Sequence, residues 1–144
     1  MHKNVQRIDH FAWIVRPENY EACKAKLTAV LGLNFVDYEN PDLAIKIALD
    51  WDAGIEILSP TDMNSHHGRL LEAKGEGMNS LIFGVEDLDA ALDRAVAAGA
   101  KVTHDIDSSH MELANRFDVL REAFFEEDIF GVAVRLGQLD PKQS

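Results

Sequence analysis

One figure occurs twice in this chain, and it limits the folds available more than any other feature. Residues 78–102, MNSLIFGVEDLDAALDRAVAAGAKV, read as a strand, a helix and the start of a second strand. Residues 8–36, IDHFAWIVRPENYEACKAKLTAVLGLNFV, read the same way. Setting Val15 on Val85 without a gap puts His10 on Ser80 and Ile14 on Gly84. Shortening the helix connection by a few residues then brings Gly32 onto Gly99. A supersecondary unit used twice calls for a fold in which two copies are set together. Whatever the protein does depends on what those copies enclose.

Taken in order, residues 5–15 are rich in β-formers and predict a strand that Pro17 ends. Tyr20, Cys23, Leu27, Val30 and Leu31 recur at helical spacing, and Gly32 stops that helix. Short strands follow at Leu33–Tyr38, Leu43–Leu49 and Ala53–Leu58, with a turn at Asn40-Pro41-Asp42 between the first two. The first unit is therefore β-α-β-β-β over residues 5–58. Residues 59–77 are a polar connection with a short helix capped by Ser65, its Leu70 and Leu71 facing inward. The second unit covers residues 78–137. It has alternating Leu81, Phe83 and Val85, a helix capped by Asp87 with Leu88, Leu92, Ala95 and Val96 inward, a strand from Ala100 and strands at Phe117–Phe125 and Gly131–Gly137. Residues 105–115 read as a loop, and the tail after Leu139 as frayed.

The span 1–144 suits a single domain with a sizeable core. Twenty-five acidic residues against 14 basic ones give a formal charge of −11. That sign argues against nucleic acid or an anionic membrane as partner, because phosphate binding needs the opposite one. The lone cysteine, Cys23, falls among apolar helix positions and reads as a buried inert thiol. With no apolar leader or long apolar run, the expectation is a cytoplasmic protein. No phosphate loop, dinucleotide fingerprint, CxxC or nucleophile elbow is found, so phosphoryl transfer, nicotinamide chemistry and serine hydrolysis have no support.

Four segments, IDHFAWIV, GIEILSP, HHGRLLEAKGEGMNSLIFGVEDLDAALDRAVAAGAKV and FGVAVRL, give the chain a family look. Together they resemble the vicinal oxygen chelate superfamily, which includes glyoxalase I, bleomycin-resistance proteins, extradiol dioxygenases and methylmalonyl-CoA epimerase. The epimerase and glyoxalase branch is the nearest in look. The resemblance implies an α+β fold in which two βαβββ modules form a curved mixed sheet around a cavity. It also implies a divalent metal held by one side chain from the first and one from the last strand of each module. Carried onto this chain, those positions are His10, Glu56, Ser80 and Arg135. The family usually has His where Ser80 stands and Glu where Arg135 stands.

Two metal ligands thus remain, His10 and Glu56, and two are lost. Serine is a poor neutral ligand, and arginine offers no lone pair and stays protonated. The expectation is that no cofactor is held, a metal at His10 and Glu56 being the lesser alternative. Arg135 is then expected to occupy the place of the metal, with Glu56 as partner and His10 beside them. There it can bind a ligand carboxylate, enolate or carbonyl oxygen, with Glu56 or His10 as general base. The competing expectation is that Glu56 and Arg135 merely neutralise each other. Glu39 is a further catalytic candidate, because in the epimerases a glutamate precedes the third strand of the first module. Its plain alternative is a solvated turn carboxylate. His10, Ala12 and Ile14 share one side of their strand, and Ser80, Ile82 and Gly84 the matching side of its counterpart. Ser80, Ile82 and His110 are accordingly candidate substrate contacts, with His104 and Glu112 near the same loop as His110. His66 and His67, adjacent on a helix, do not face one point. Trp13, Trp51, Phe83 and Phe124 read as core.

Two functions follow from the resemblance. One is a lyase or isomerase moving a proton next to the carbonyl of a small carbonyl compound or thioester. The other is a metal-free binding protein of the bleomycin-resistance type. Retention of both His10 and Glu56 favours the enzyme, and loss of two ligands favours the binder. A homodimer is expected in either case.

Overall fold

The repeated figure is built as two βαβββ units, in a computed structural model that describes residues 2–143. Met1 and Ser144, the ends of the expected span, lie outside the described residues. Residues 10–79 form one compact unit, and residues 2–9 with 80–143 form the other. The fold is α+β, and in each unit the strands make a mixed four-stranded arrangement.

The first unit contains most of β1 (Arg7–Ile14), then α1 (Tyr20–Leu31), β2 (Val36–Asn40), β3 (Ile45–Asp50), β4 (Ile55–Pro60) and α2 (His66–Lys74). Its strands lie in the order β2-β3-β4-β1, with β1 parallel to β4 and the other pairs antiparallel. The second unit contains β5 (Gly77–Gly84) from Ser80 on, α3 (Leu88–Ala97), β6 (Val102–Asp107), β7 (Phe117–Phe125) and β8 (Val134–Pro141). Their order is β5-β8-β7-β6, with β5 parallel to β8.

The helices end where their residues dictate. Gly32 closes α1 in the left-handed region at φ 70°, its N–H donating to the Thr28 carbonyl at 2.9 Å. Ser65 Oγ accepts from the Gly68 N–H at 3.1 Å to open α2, and Asp87 Oδ1 accepts from the Ala90 N–H at 3.2 Å to open α3. One sheet face of the first unit is covered by α1: Val15, Tyr20, Ala48 and Ile57 form a core cluster against Trp13, Cys23, Leu27 and Phe35. The second unit repeats this with Val85, Leu88, Ala91 and Ala123 against Phe83, Leu92 and Leu136. Arg121 ties that helix down by bonding Asp105 at 2.7 Å and Asp89 at 2.8 Å.

Several expectations are corrected. Val30, Leu31 and Val96 face outward, because α1 and α3 each bury a stripe narrower than their apolar residues suggest. Cys23 is half-buried, and desolvation followed by the nearby Glu76 charge holds its thiol pKa up. The second strand begins three residues later than predicted, at Val36. The loop after β6 contains a turn of 3-10 helix at Glu112–Ala114. The tail is no frayed end up to Pro141: Leu139 pairs with Leu120, Pro141 pairs with Phe117, and the Lys142 N–H donates to the Arg116 carbonyl at 3.0 Å.

Within the second unit the N-terminal segment is locked against the end of β5. The Gln6 N–H donates to the Gly84 carbonyl at 2.8 Å, and a Cβ at position 84 would meet the Asn4 carbonyl oxygen at 1.8 Å. The Asn4 carbonyl carbon, 2.9 Å away, is too close as well, and both atoms are backbone, so no rotamer change relieves the clash. Gly84→Ala is expected to destabilise the protein by about 2 kcal/mol or more, through overpacking. Gly32→Ala, with open space around its Cβ, is expected to cost only about 1 kcal/mol from its positive φ. Urea unfolding of the two variants checks the order, and equal midpoints would contradict it.

Candidate functional site

The two parallel strand pairs place their side chains by the same rule. In the first unit Phe11 to Ile14 pair with Ile55 to Leu58 in sequence. In the second, Leu81 to Gly84 pair with Val134 to Gly137. The flanking bonds match as well. Phe11 N–H donates to Gly54 O and Leu81 N–H to Ala133 O, both at 2.9 Å, while Val15 N–H donates to Leu58 O and Val85 N–H to Gly137 O. The repeat therefore makes Ala12 equivalent to Ile82, His10 to Ser80 and Glu56 to Arg135.

Paired residues project to the same side of a sheet, as do residues two apart. In the first unit His10, Ala12 and Glu56 share the face opposite α1. His10 is 2% exposed and meets the Trp51 ring edge-on, centroids 5.2 Å apart. Glu56 is half-buried. Trp51, read from sequence as core, is thus a neighbour of the candidate histidine. Glu39 goes elsewhere. It pairs with Lys46, whose ammonium lies over the Tyr20 ring on the α1 side, so Glu39 sits on the face away from His10 and is exposed.

In the second unit the corresponding face carries Ser80, Ile82 and Arg135, all buried. Arg135 is 8% exposed, and its guanidinium carbon lies 3.6 Å from the Phe124 ring centroid. Such a cation over an aromatic ring gains about 2 kcal/mol when desolvated. His104 also packs against Phe124, ring centroids 5.0 Å apart. Its pKa is lowered below the ordinary imidazole value, by burial first and then by the Arg135 charge. Glu122, paired with Gly137 and Ile106, is on the same face. His110 is exposed in the turn after β6. Sequence reasoning missed Phe124 as the platform for Arg135. The repeat carried the signal, since Phe124 of β7 packs on Arg135 of β8 as Leu49 of β3 pairs with Glu56 of β4.

The superfamily implies a divalent metal, and the second unit does not fit one. The repeat puts a hydroxyl and a guanidinium where donors are needed, and a fixed cation repels another. Among the described residues no group of three or more His, Cys, Asp or Glu is placed to hold a metal ion. No helix among them is long and apolar enough to cross a membrane.

A sequence profile of the glyoxalase/bleomycin resistance protein/dioxygenase superfamily matches residues 7–136. The chain belongs to that superfamily. Among solved structures, methylmalonyl-CoA epimerase from Mycobacterium tuberculosis shares 24% identity at a TM-score of 0.73, over 99% of this chain and 93% of that one. A Streptomyces coelicolor methylmalonyl-CoA epimerase variant in complex with 2-nitronate-propionyl-CoA shares 23% at 0.75, over 93% and 94%. A hypothetical protein from Bacillus halodurans C-125 shares 19% at 0.74, over 96% of each chain. These likenesses establish the fold. A 4-hydroxyphenylpyruvate dioxygenase from Caenorhabditis elegans is 41% identical over 59 residues, which is 40% of this chain and 15% of that protein. The chain therefore spans a small part of that curated relative.

The donor argument has a direct check. Added Zn²⁺ is expected to leave the melting temperature of the protein unchanged. Thermal scans after chelator treatment decide it, and stoichiometric metal in the parent protein would refute the argument.

Proposed function

We propose that this member of the superfamily is a lyase or isomerase of the glyoxalase and epimerase type, acting on a thioester or small carbonyl metabolite by proton transfer without a metal. The observation that carries this reading is the buried Arg135 guanidinium packed on Phe124, at the position that the repeat matches to Glu56. Abstraction of a proton next to a carbonyl breaks a C–H bond and sends its electron pair to the carbonyl oxygen. The developing oxyanion needs a fixed positive charge or donors set in place beforehand. A guanidinium supplies both, as five in-plane N–H donors and a charge that never titrates in the working range.

Glu56 and His10 are the groups of the first unit able to take and return a proton. Their shared face, and the burial of His10 against Trp51, support that role. Ser80 and Ile82 would contact the substrate. The same reading makes the protein a cytoplasmic homodimer whose ligand is a small molecule. The likeness to an epimerase that holds a nitronate analogue of a CoA ester supports an acyl-CoA as the first substrate to try.

A metal-free binding protein of the bleomycin-resistance type is the second reading. It is favoured by the hydroxyl and guanidinium at the repeat positions of His10 and Glu56. A binder needs neither proton-transfer group, and this separates the two. Incubation with methylmalonyl-CoA in D₂O is expected to place deuterium on the α-carbon. On the general scale for one acid–base or oxyanion group, Glu56→Gln and Arg135→Met are each expected to slow that exchange by about 100-fold. Mass spectrometry reads the label. Tight binding of an acyl-CoA, a glutathione adduct or an aromatic ligand, with no exchange in any, would establish the binder instead.

A further inference from the structure

We propose that His104 is a proton acceptor of the second unit, working with Arg135, which holds the substrate oxyanion, both groups being packed on the Phe124 ring. The proposal rests on the proton-transfer reading above and adds a residue to it. Three side chains form a row across three adjacent strands: Arg135 on β8, Phe124 on β7 and His104 on β6. The guanidinium carbon lies 3.6 Å and the imidazole 5.0 Å from the same ring centroid.

The row depends on an irregularity in the strand. Val102 pairs with Phe125, yet His104 pairs with Phe124, so Thr103 is an extra residue in β6. Regular alternation from Val102 would put Thr103 opposite Phe124 and turn His104 to the α3 side. The bulge instead brings His104 onto the face of Arg135. Bulges of this kind re-aim single side chains and are frequent beside active sites. Thr103 also contacts the ring, with its Oγ1 3.0 Å from His104 Nδ1. When Nδ1–H donates to that hydroxyl, Nε2 carries the lone pair.

The charges around the ring suit an acceptor. Among the described residues of β6, β7 and β8, Arg135 and Glu122 are charged groups that share its face. Asp105, next on the same strand, lies on the other face, where Arg121 binds it at 2.7 Å. Burial and the Arg135 charge keep the imidazole neutral to lower pH than usual, so it accepts protons where an ordinary histidine is already charged. In the step itself the α C–H bond breaks, the proton goes to Nε2, and the electron pair moves to the carbonyl oxygen as an enolate facing Arg135. Return of that proton to carbon regenerates neutral His104. No oxidant, reductant or further reactant is consumed.

The test follows α-deuterium entry into methylmalonyl-CoA between pH 5 and 8, together with NMR titration of the histidine rings of the full-length protein. In the parent protein the His104 midpoint is expected below the ordinary imidazole value. Arg135→Gln is expected to raise it, and Arg135→Lys, which keeps the charge, to leave it low. His104→Gln is expected to slow exchange at least tenfold and to remove the acid limb of its pH profile. Exchange that proceeds unchanged in His104→Gln, acid limb included, would overturn this role while leaving the proton-transfer reading intact. A His104 midpoint indifferent to Arg135→Gln would overturn it on separate grounds. Absence of exchange in the parent protein would overturn both.

Discussion

Every placement in the candidate site descends from one constraint, the parallel pairing of the first and last strands in each unit. A parallel ladder fixes which residues stand side by side, and a slip of one residue would send each side chain to the opposite face. In the first unit the ladder sets Ala12 beside Glu56, with His10 two residues back on the same face. In the second it sets Ile82 beside Arg135, with Ser80 two residues back. The helices enforce the register, because α1 and α3 each cover the other face with a core cluster that a slipped strand would break. The candidate site residues and the core clusters therefore use opposite faces of the same strands.

Arg135 is where these two demands collide. Removing a guanidinium from water costs several kcal/mol, and stacking on Phe124 recovers about 2 kcal/mol at most. A cation held 8% exposed among strands of a core needs negative charge or oxygen donors near it besides the ring contact. Glu122 lies on its face, and under the proposed function a substrate carbonyl that gains charge during reaction would answer the same demand. That difference between resting and reacting states is what makes a buried cation useful to catalysis, beyond its use to structure.

Much of the architecture was legible because its signals are local. The strand–helix–strand figure and the stop at Gly32 each rest on a few adjacent residues, as do the caps at Ser65 and Asp87. Matching Val15 to Val85 also recovered the equivalence of His10 with Ser80, since the repeat carries its own register. What escaped depends on tertiary context. Val30, Leu31 and Val96 have helical spacing yet stay exposed, because periodicity reports a direction and not the width of the covering sheet. Glu39 lies on the helix side because the pairing of β2 with β3, set by distant residues, decides its face. The β6 bulge left no mark in the sequence, and with it went the approach of His104 to Phe124.

The two units illustrate how one scaffold carries different side chains at matching positions without altering its frame. Their ladders and flanking backbone bonds match residue for residue, so the exchange of a carboxylate for a guanidinium at Glu56 and Arg135 needs no backbone adjustment. What must change is the neighbour across the antiparallel ladder. Opposite Glu56 stands Leu49, which offers only an apolar surface, whereas opposite Arg135 stands Phe124, whose ring face is negative and receives a cation. The aromatic residue and the arginine are thus one substitution in physical terms, made at two positions. Glu56 is half-buried and titratable, suited to carrying a proton, while Arg135 is buried and permanently charged, suited to holding an oxygen. The duplicated fold supplies both kinds of position, and the identity of a single side chain in each decides which is used.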